Sequence, residues 1–302
     1  MAANTRDIRR RIKSVKNTAQ ITKAMQMVAA SKMRKAQSAA LAGRPYATLL
    51  NRVLVSLGAS AAVGEGYAHP LLERREGGRE LVLLIATDKG LCGALNTNLF
   101  REAAKYDQNN TDFVVVGRKA AQFVGRSGRN LIADFELKDN FTFLEAKQVS
   151  KFCMEKFLSG QVNKVTVVFT DFINTLTQVP RSRTILPVSS FEVTADVVGS
   201  SDTSLSQKAD VTADGSATEY LFEPSGVDVL GGVLPHYVNF QVYQMVLDSR
   251  ASEHSARMVA MKNATDNAKQ LIKDLTLQYN KVRQAAITTE ILEIATAQMA
   301  LG

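Results

Sequence analysis

From Pro235 through Leu301 the chain runs for 67 residues without a glycine or a second proline. Those two residues usually mark helix ends, and globular helices seldom exceed ~25 residues. An unbroken helix of this length is about 100 Å long and needs a partner along its apolar stripe. Ala268, Ile272, Leu275, Tyr279, Val282 and Ala286 supply that stripe, at the alternating four- and three-residue spacing of a coiled-coil seam. Ala251, Ser252, Ser255, Ala256, Ala260 and Ala264 precede it and let another helix approach closely. Pro235 suits a first helical position.

The other end of the chain offers the partner. Residues 5–42 hold neither Gly nor Pro, with Asn4 or Thr5 as the cap and Asp7 in the first turn. Ile8, Ile12, Val15 and Ala19 keep the same spacing, and the seam then shifts to Ile21, Met25 and Val28, as at a stutter. Gly43 and Pro45 predict a kink or a break. The pattern resumes at Leu49, Leu50, Val53, Leu54 and Leu57 and stops at Gly58, a suitable C′ residue. The simplest packing sets the two ends antiparallel, with the C-terminal helix overhanging.

Between them the texture changes. Leu81–Ala86, Phe113–Val116 and Val165–Phe169 are short continuous apolar runs, as in strands buried on both faces. Helices are predicted at 96–106, 118–124 and 144–158, and the alternation implies a mostly parallel sheet. Residues 194–218, rich in Ser, Thr, Asp and Gly, read as a mobile insert. The expected fold class is α+α/β: a long antiparallel coiled coil of N- and C-terminal helices with an inserted Rossmann-like α/β domain. The expected divisions are a first shaft helix at 1–60, the α/β domain at 78–193, the insert at 194–218, and a return segment with the second shaft helix at 219–302. Enzymes seldom need such a shaft, and the architecture suggests mechanical or scaffolding work.

Composition narrows the chemistry. No apolar run reaches the roughly 18–20 residues of a membrane-spanning helix. Cys92 and Cys153 make no disulfide framework and fit a reducing compartment, and His69, His236 and His254 have no metal-ligand spacing. There is no GxxxxGK[ST] phosphate loop. The net charge of +8 is concentrated: residues 1–60 hold twelve Lys and Arg against one acid, Asp7. Such a helix suits an anionic partner (nucleic acid, a membrane surface or an acidic protein face) or is simply a solvated face.

Other candidate chemistry is thinner. Residues 87–93, Thr-Asp-Lys-Gly-Leu-Cys-Gly, follow the first strand, and read better as a tight turn with glycine at positive φ than as a phosphate cradle. Glu253 and Arg257 are spaced as a surface ion pair around His254. Met25, Met27, Met33, Met258 and Met261 read as core filler or as adaptable contacts. Glu290 and Glu293 oppose the helix dipole near a C-terminus, where local stability prefers cations, so a partner should use them. Beyond them residues 294–301 carry no charge, which suggests insertion into an apolar sleeve.

Four stretches then carry a resemblance: residues 8–25 (IRRRIKSVKNTAQITKAM), 87–93 (TDKGLCG), 251–268 (ASEHSARMVAMKNATDNA) and 283–290 (RQAAITTE). Together they resemble the bacterial-type gamma subunit of the F-type rotary ATP synthase, over nearly the whole chain and in family order. The resemblance implies a non-catalytic central stalk. Its coiled coil enters the alternating alpha/beta hexamer, and its foot contacts the epsilon subunit and the membrane ring of c subunits. It implies that Lys23 and Met25 face an acidic loop of beta, that Arg283, Gln284 and Thr288 form a polar catch against beta, and that Glu290 and Glu293 are acids of the upper shaft. Tyr220 and Glu223, within Tyr220–Pro224, resemble the foot segment near the c ring. No cofactor, metal, small-molecule substrate or nucleic acid is implied. The chain departs from the family at the tip, Ala295–Leu301, and at Gly231-Gly232, where a delayed or hinged helix start is expected. Residues 1–30 have the composition of a transit peptide, but the match begins there, so they are expected to be mature shaft on the cytoplasmic face of a bacterial inner membrane. The rival is a basic coiled-coil nucleic-acid binder, which lacks base-stacking aromatics in its N-terminal helix; an α/β hydrolase or transferase has no assembled site.

Overall fold

Both glycine-poor ends are helices, and each is longer than its pattern suggests. In the computed structural model, which describes residues 2–59, 69–75, 77–188, 223 and 225–301, helix α1 is Ala2–Ala59 and helix α5 is Gly226–Leu301. The expected insert at 194–218 and Tyr220 lie outside the described residues.

Two predicted breaks are absent. Helix α1 continues through Gly43 and Pro45 and ends at Ala59, beside the expected Gly58. Gly43 serves close approach instead: a Cβ there would lie 3.3 Å from Gln244 Oε1 and 3.4 Å from the Phe240 ring. Ala47, Leu50 and Leu54 are buried and hold the helix past Pro45, whereas Leu49 is exposed. Helix α5 begins nine residues before Pro235 and runs through Gly231-Gly232. Ser225 caps it, its Oγ accepting from Asp228 N at 3.1 Å and donating to Asp228 Oδ2 at 2.7 Å. Buried Leu230, Leu234 and Val238 supply the packing that overrides poor local propensity.

Between the long helices lie β1 (Glu80–Ile85), α2 (Leu95–Ala103), β2 (Thr111–Val116), α3 (Arg118–Arg126), β3 (Asn130–Phe135), α4 (Phe143–Leu158), β4 (Lys164–Phe172) and β5 (Gln178–Leu186). They form one sheet in the order β3-β2-β1-β4-β5, parallel except for β5 against β4. The three strands read as buried runs are the three central ones. The two edge strands carry no such run: no residue of β3 is buried, and β5 holds Pro180, Arg181 and Arg183. Proline and charge are how exposed sheet edges avoid further pairing. Gly117, at φ +97°, opens α3 where any Cβ would run into the Ala86 carbonyl.

The chain divides into two compact units. Residues 31–256 form a three-layer sheet unit. Helices α2 and α3 cover one face through Leu99, Ala103, Ala120 and Val124 against Val82, Leu84 and Val115. Helix α4 and the flanking parts of α1 and α5 cover the other, where Phe157, Leu54, Leu234 and Val242 meet Leu81, Leu83 and Val167.

Met1–Ala30 with Arg257–Gly302 form a helix pair. Its antiparallel register is fixed by two contacts. Arg9 donates to the Tyr279 hydroxyl with its guanidinium 5.4 Å from the ring centre, and the hydroxyls of Thr22 and Thr265 meet at 2.7 Å. The second seam lies where its spacing puts it: Ala268 and Leu275 are buried, and Ile272, Tyr279, Val282 and Ala286 half-buried. The first seam does not shift. Ile21 and Val28 are 60% and 56% exposed, and the seam continues instead through Thr22 and Ala29. An apolar search passes over Thr22, whose hydroxyl is satisfied across the pair. The methionines divide likewise: Met261 is in the seam, Met33 is in the sheet unit's buried set, and Met27 is exposed.

Candidate functional site

The helix pair ends unevenly. Paired residues sum to 287 or 288 along the register, so Ala2 sits opposite about residue 286. Every described side chain from Ile287 to Met299 is exposed. This unpaired run is about 20 Å long at 1.5 Å per residue. Ile287, Ile291, Leu292, Ile294 and Met299 present large apolar surface there, Met299 at 84% exposure. Five exposed large hydrophobic side chains on one lone helix end form a surface made for an apolar partner.

Lower on the pair the surface is cationic. Arg6, Arg10, Arg11, Lys13, Lys16 and Lys23 are all exposed, and among the described residues none of them enters an ion pair. They protrude because the seam leaves only one side of α1 covered.

The residues expected to contact a partner fall on two levels. Lys23 is exposed and Met25 half-buried on α1, and the register sets Met25 opposite about residue 262. Arg283, Gln284, Thr288, Glu290 and Glu293 are exposed on α5, and Thr288 donates its hydroxyl back to Gln284 O at 2.9 Å. Some twenty residues, about 30 Å, separate the levels. The structure thus gathers these residues into two patches on one rod. Glu223 is exposed.

At the carboxyl ends of the parallel strands, where doubly wound folds hold ligands, helix α5 occupies the space. Arg250, 4% exposed, donates to Glu253 Oε2 at 2.9 Å, Asp88 Oδ2 at 3.1 Å and the Leu137 carbonyl at 2.6 Å. Burial pulls its pKa down, but the facing Glu253 and Asp88 charges leave it above the ordinary guanidinium value. Glu253 and His254 are buried, which corrects the surface-pair reading, and Ala251, Ser252 and Ser255 are buried beside them. The sequence does not single out Arg250, and offers Asp88 only as a member of the 87–93 turn. The one signal was a lone arginine set among small residues.

The Thr87–Gly93 turn shows no phosphate cradle. Asp88 Oδ1 accepts from Arg118 N at 3.2 Å, placing a carboxylate on the N-terminus of α3 that an anion would need. Gly93 has φ +61°, as a tight turn requires, and Leu91 joins it at φ +64°. Cys92 is buried with Asn96 Nδ2 at 3.5 Å from its sulfur, and burial pushes the Cys153 thiol up to about 12.

Comparison with known proteins reaches the whole chain. A family model described as ATP synthase matches residues 4–301. The ATP synthase gamma chain of Methylacidiphilum infernorum is 50% identical, covering 99% of this chain and 100% of that one. That of Opitutus terrae is 51% identical, covering 99% of each. Among solved structures, a chain from the central stalk and c ring structure of the Tetrahymena thermophila mitochondrial ATP synthase matches at 25% identity and TM-score 0.60, covering 81% of this chain and 99% of that one. A chain of the Euglena gracilis mitochondrial ATP synthase shares the fold at 21% identity and TM-score 0.65, covering 100% and 95%.

Proposed function

Because the chain belongs to the ATP synthase gamma chain family, we propose that its unpaired tip and its cationic band are the two surfaces that bear on the catalytic head. The chain is a rotor-stalk subunit of an F-type ATP synthase, a membrane-associated complex, and is not itself catalytic. The reading assigns residues 287–301 to an apolar sleeve at the centre of the alpha/beta hexamer. The observation that carries it is the tip itself: a bare helix end with exposed Ile291, Leu292, Ile294 and Met299 and no charge after Glu293.

Coupling follows from asymmetry. The lower part of the pair is cationic along α1, and the tip is a single apolar helix. Three identical catalytic subunits around it meet three different surfaces, so turning the rod changes which one each of them feels. Lys23 and Met25 serve the lower level against an acidic loop of beta, and the exposed cations beside them favour that partner. Arg283, Gln284, Thr288, Glu290 and Glu293 serve the upper level. The cations need no nucleic acid on this account. The 78–193 domain is the foot, with Glu223 and Tyr220 toward the c ring and epsilon alongside, on the cytoplasmic face of a bacterial inner membrane. The division at 1–60 is the first shaft helix, 219–302 is a return segment with the second, and 194–218 is an insert or linker dispensable to them.

Met25→Lys tests the lower level. A lysine there adds an ion pair at a partly desolvated contact, worth about 1–3 kcal/mol, and holds one rotary state too tightly. In vesicles carrying the mutant complex, ATP hydrolysis should persist while proton uptake per ATP falls. An unchanged ratio removes Met25 from the coupling contact.

A further inference from the structure

We propose that Arg250 is a positioning residue for torque: the side chain that locks helix α5 against rotation relative to the sheet. The inference rests on the rotor reading above.

Leu234, Val238 and Val242 pack the first part of α5 on the sheet; around residues 249–255 polar bonds fasten it along two lines. The first is a row of serines facing one strand and its turn. Ser249 Oγ accepts from Thr170 N at 3.4 Å, Ser252 Oγ donates to Thr170 O at 3.2 Å, and Ser255 Oγ donates to Thr175 O at 2.7 Å. All three bonds go to β4 or the turn after it, so this part of the helix is held by them along one line only. Arg250 supplies the second line. Its guanidinium reaches Asp88 after β1 and Leu137 O after β3, while Glu253 on the same helix neutralises it. Asp88 in turn holds the first amide of α3. Two lines on different strands resist rolling where one does not. The loop after β3 is also tied to α1, with Lys32 on Asp139 at 2.5 Å and Lys35 on Asn140 at 3.0 Å. One short loop therefore grips both long helices within the sheet unit. A planar, five-donor guanidinium is what such a junction needs, since a lysine offers one compact nitrogen that cannot span three acceptors.

Arg250→Lys separates this role from plain stability, because it keeps the charge that Glu253 requires. In the full-length chain, amide exchange across 88–93 and 136–140 should quicken at least about tenfold, with α5 amides at 226–247 unchanged. In the complex assembled with alpha and beta and stalled by nucleotide, a bead on Gln122→Cys of α3 should show at least about twice the angular variance of the Arg250 rotor. Asp88→Ala, which leaves the Arg250–Glu253 pair intact, should behave alike and replaces Arg250→Lys if that variant does not assemble. Unchanged exchange, or unchanged variance in an assembled complex, overturns the proposal. An Arg250 rotor that never assembles with the head overturns the rotor reading instead, and the exchange result still judges the junction.

Discussion

Leu275 in the helix pair and Leu83 in the sheet unit are both buried leucines, yet their surroundings have little in common. Leu83 sits in the central strand β1, paired with β2 on one side and β4 on the other and roofed by the α4 layer. Leu275 is 6% exposed and lies in a seam that has one partner helix. Charge divides the same way. The helix pair holds thirteen Lys and Arg against five acids, and the sheet unit twenty-four of each, so the pair carries the chain's whole net +8. The sheet unit is self-sufficient, with acids matched to bases and a two-sided core. The pair leaves most of its surface, its cations and its tip for something else to cover.

The largest expected effect tests that contrast in packing. Leu83→Ala opens a cavity that a sheet cannot close and should cost about 3–5 kcal/mol. Leu275→Ala lies where two helices can close up, and should cost about 2 kcal/mol, the low end for such changes. Urea unfolding followed by circular dichroism measures both, and equal costs would break the comparison.

A smaller effect sharpens it. Thr22→Val removes one of the two hydroxyls that meet across the seam. The Thr265 hydroxyl already lies 2.8 Å from the Met261 carbonyl and keeps that acceptor. The variant should lose less than about 1 kcal/mol, as for an ordinary hydrogen bond. A loss above about 2 kcal/mol would mean that the pair is specified by this polar contact rather than by its apolar seam.

The smallest effect belongs to the sheet unit. His69 caps a 3-10 turn at Pro70–Leu72, its Nδ1 accepting from Leu71 N at 3.1 Å, and burial holds its pKa below 6.5. A lowered histidine pKa favours the neutral, accepting form. The contribution is therefore full above the unfolded value near 6.5 and fades as pH falls through the lower folded value. Titration of His69 by NMR should give a midpoint below 6.5; a midpoint above it would mean that the cap does not depend on a neutral ring.

Much of this arrangement is legible in the sequence because it is periodic. The absence of Gly and Pro announces α1 and α5, the seam from Ala268 to Ala286 is read correctly, and the three central strands show as apolar runs. What escapes is what local pattern does not encode. Strands β3 and β5 are edges, so neither has a continuous apolar run. Gly231, Gly232 and Pro235 disfavour helix locally, and only burial of Leu230 and Leu234 against the sheet keeps them in one. Thr22 is polar until its partner 243 residues away is known. Arg250 looks like any surface cation until Asp88 and the Leu137 carbonyl, both from distant segments, join Glu253 around it. For the candidate site, charge and the bare tip were readable from residues alone. The particular contacts at Lys23, Met25 and the upper level came from family resemblance, and the structure adds that they lie on two levels of one rod.

The central claim is that this chain turns inside a head that hydrolyses or makes ATP. Cys92 and Cys153 are buried, so Gln122→Cys on exposed α3 gives a single accessible thiol for a bead. With the chain assembled into immobilised alpha and beta subunits and ATP supplied, the bead should rotate continuously in one direction, at a rate set by ATP. A head that hydrolyses ATP while a firmly bound bead stays still would contradict the account.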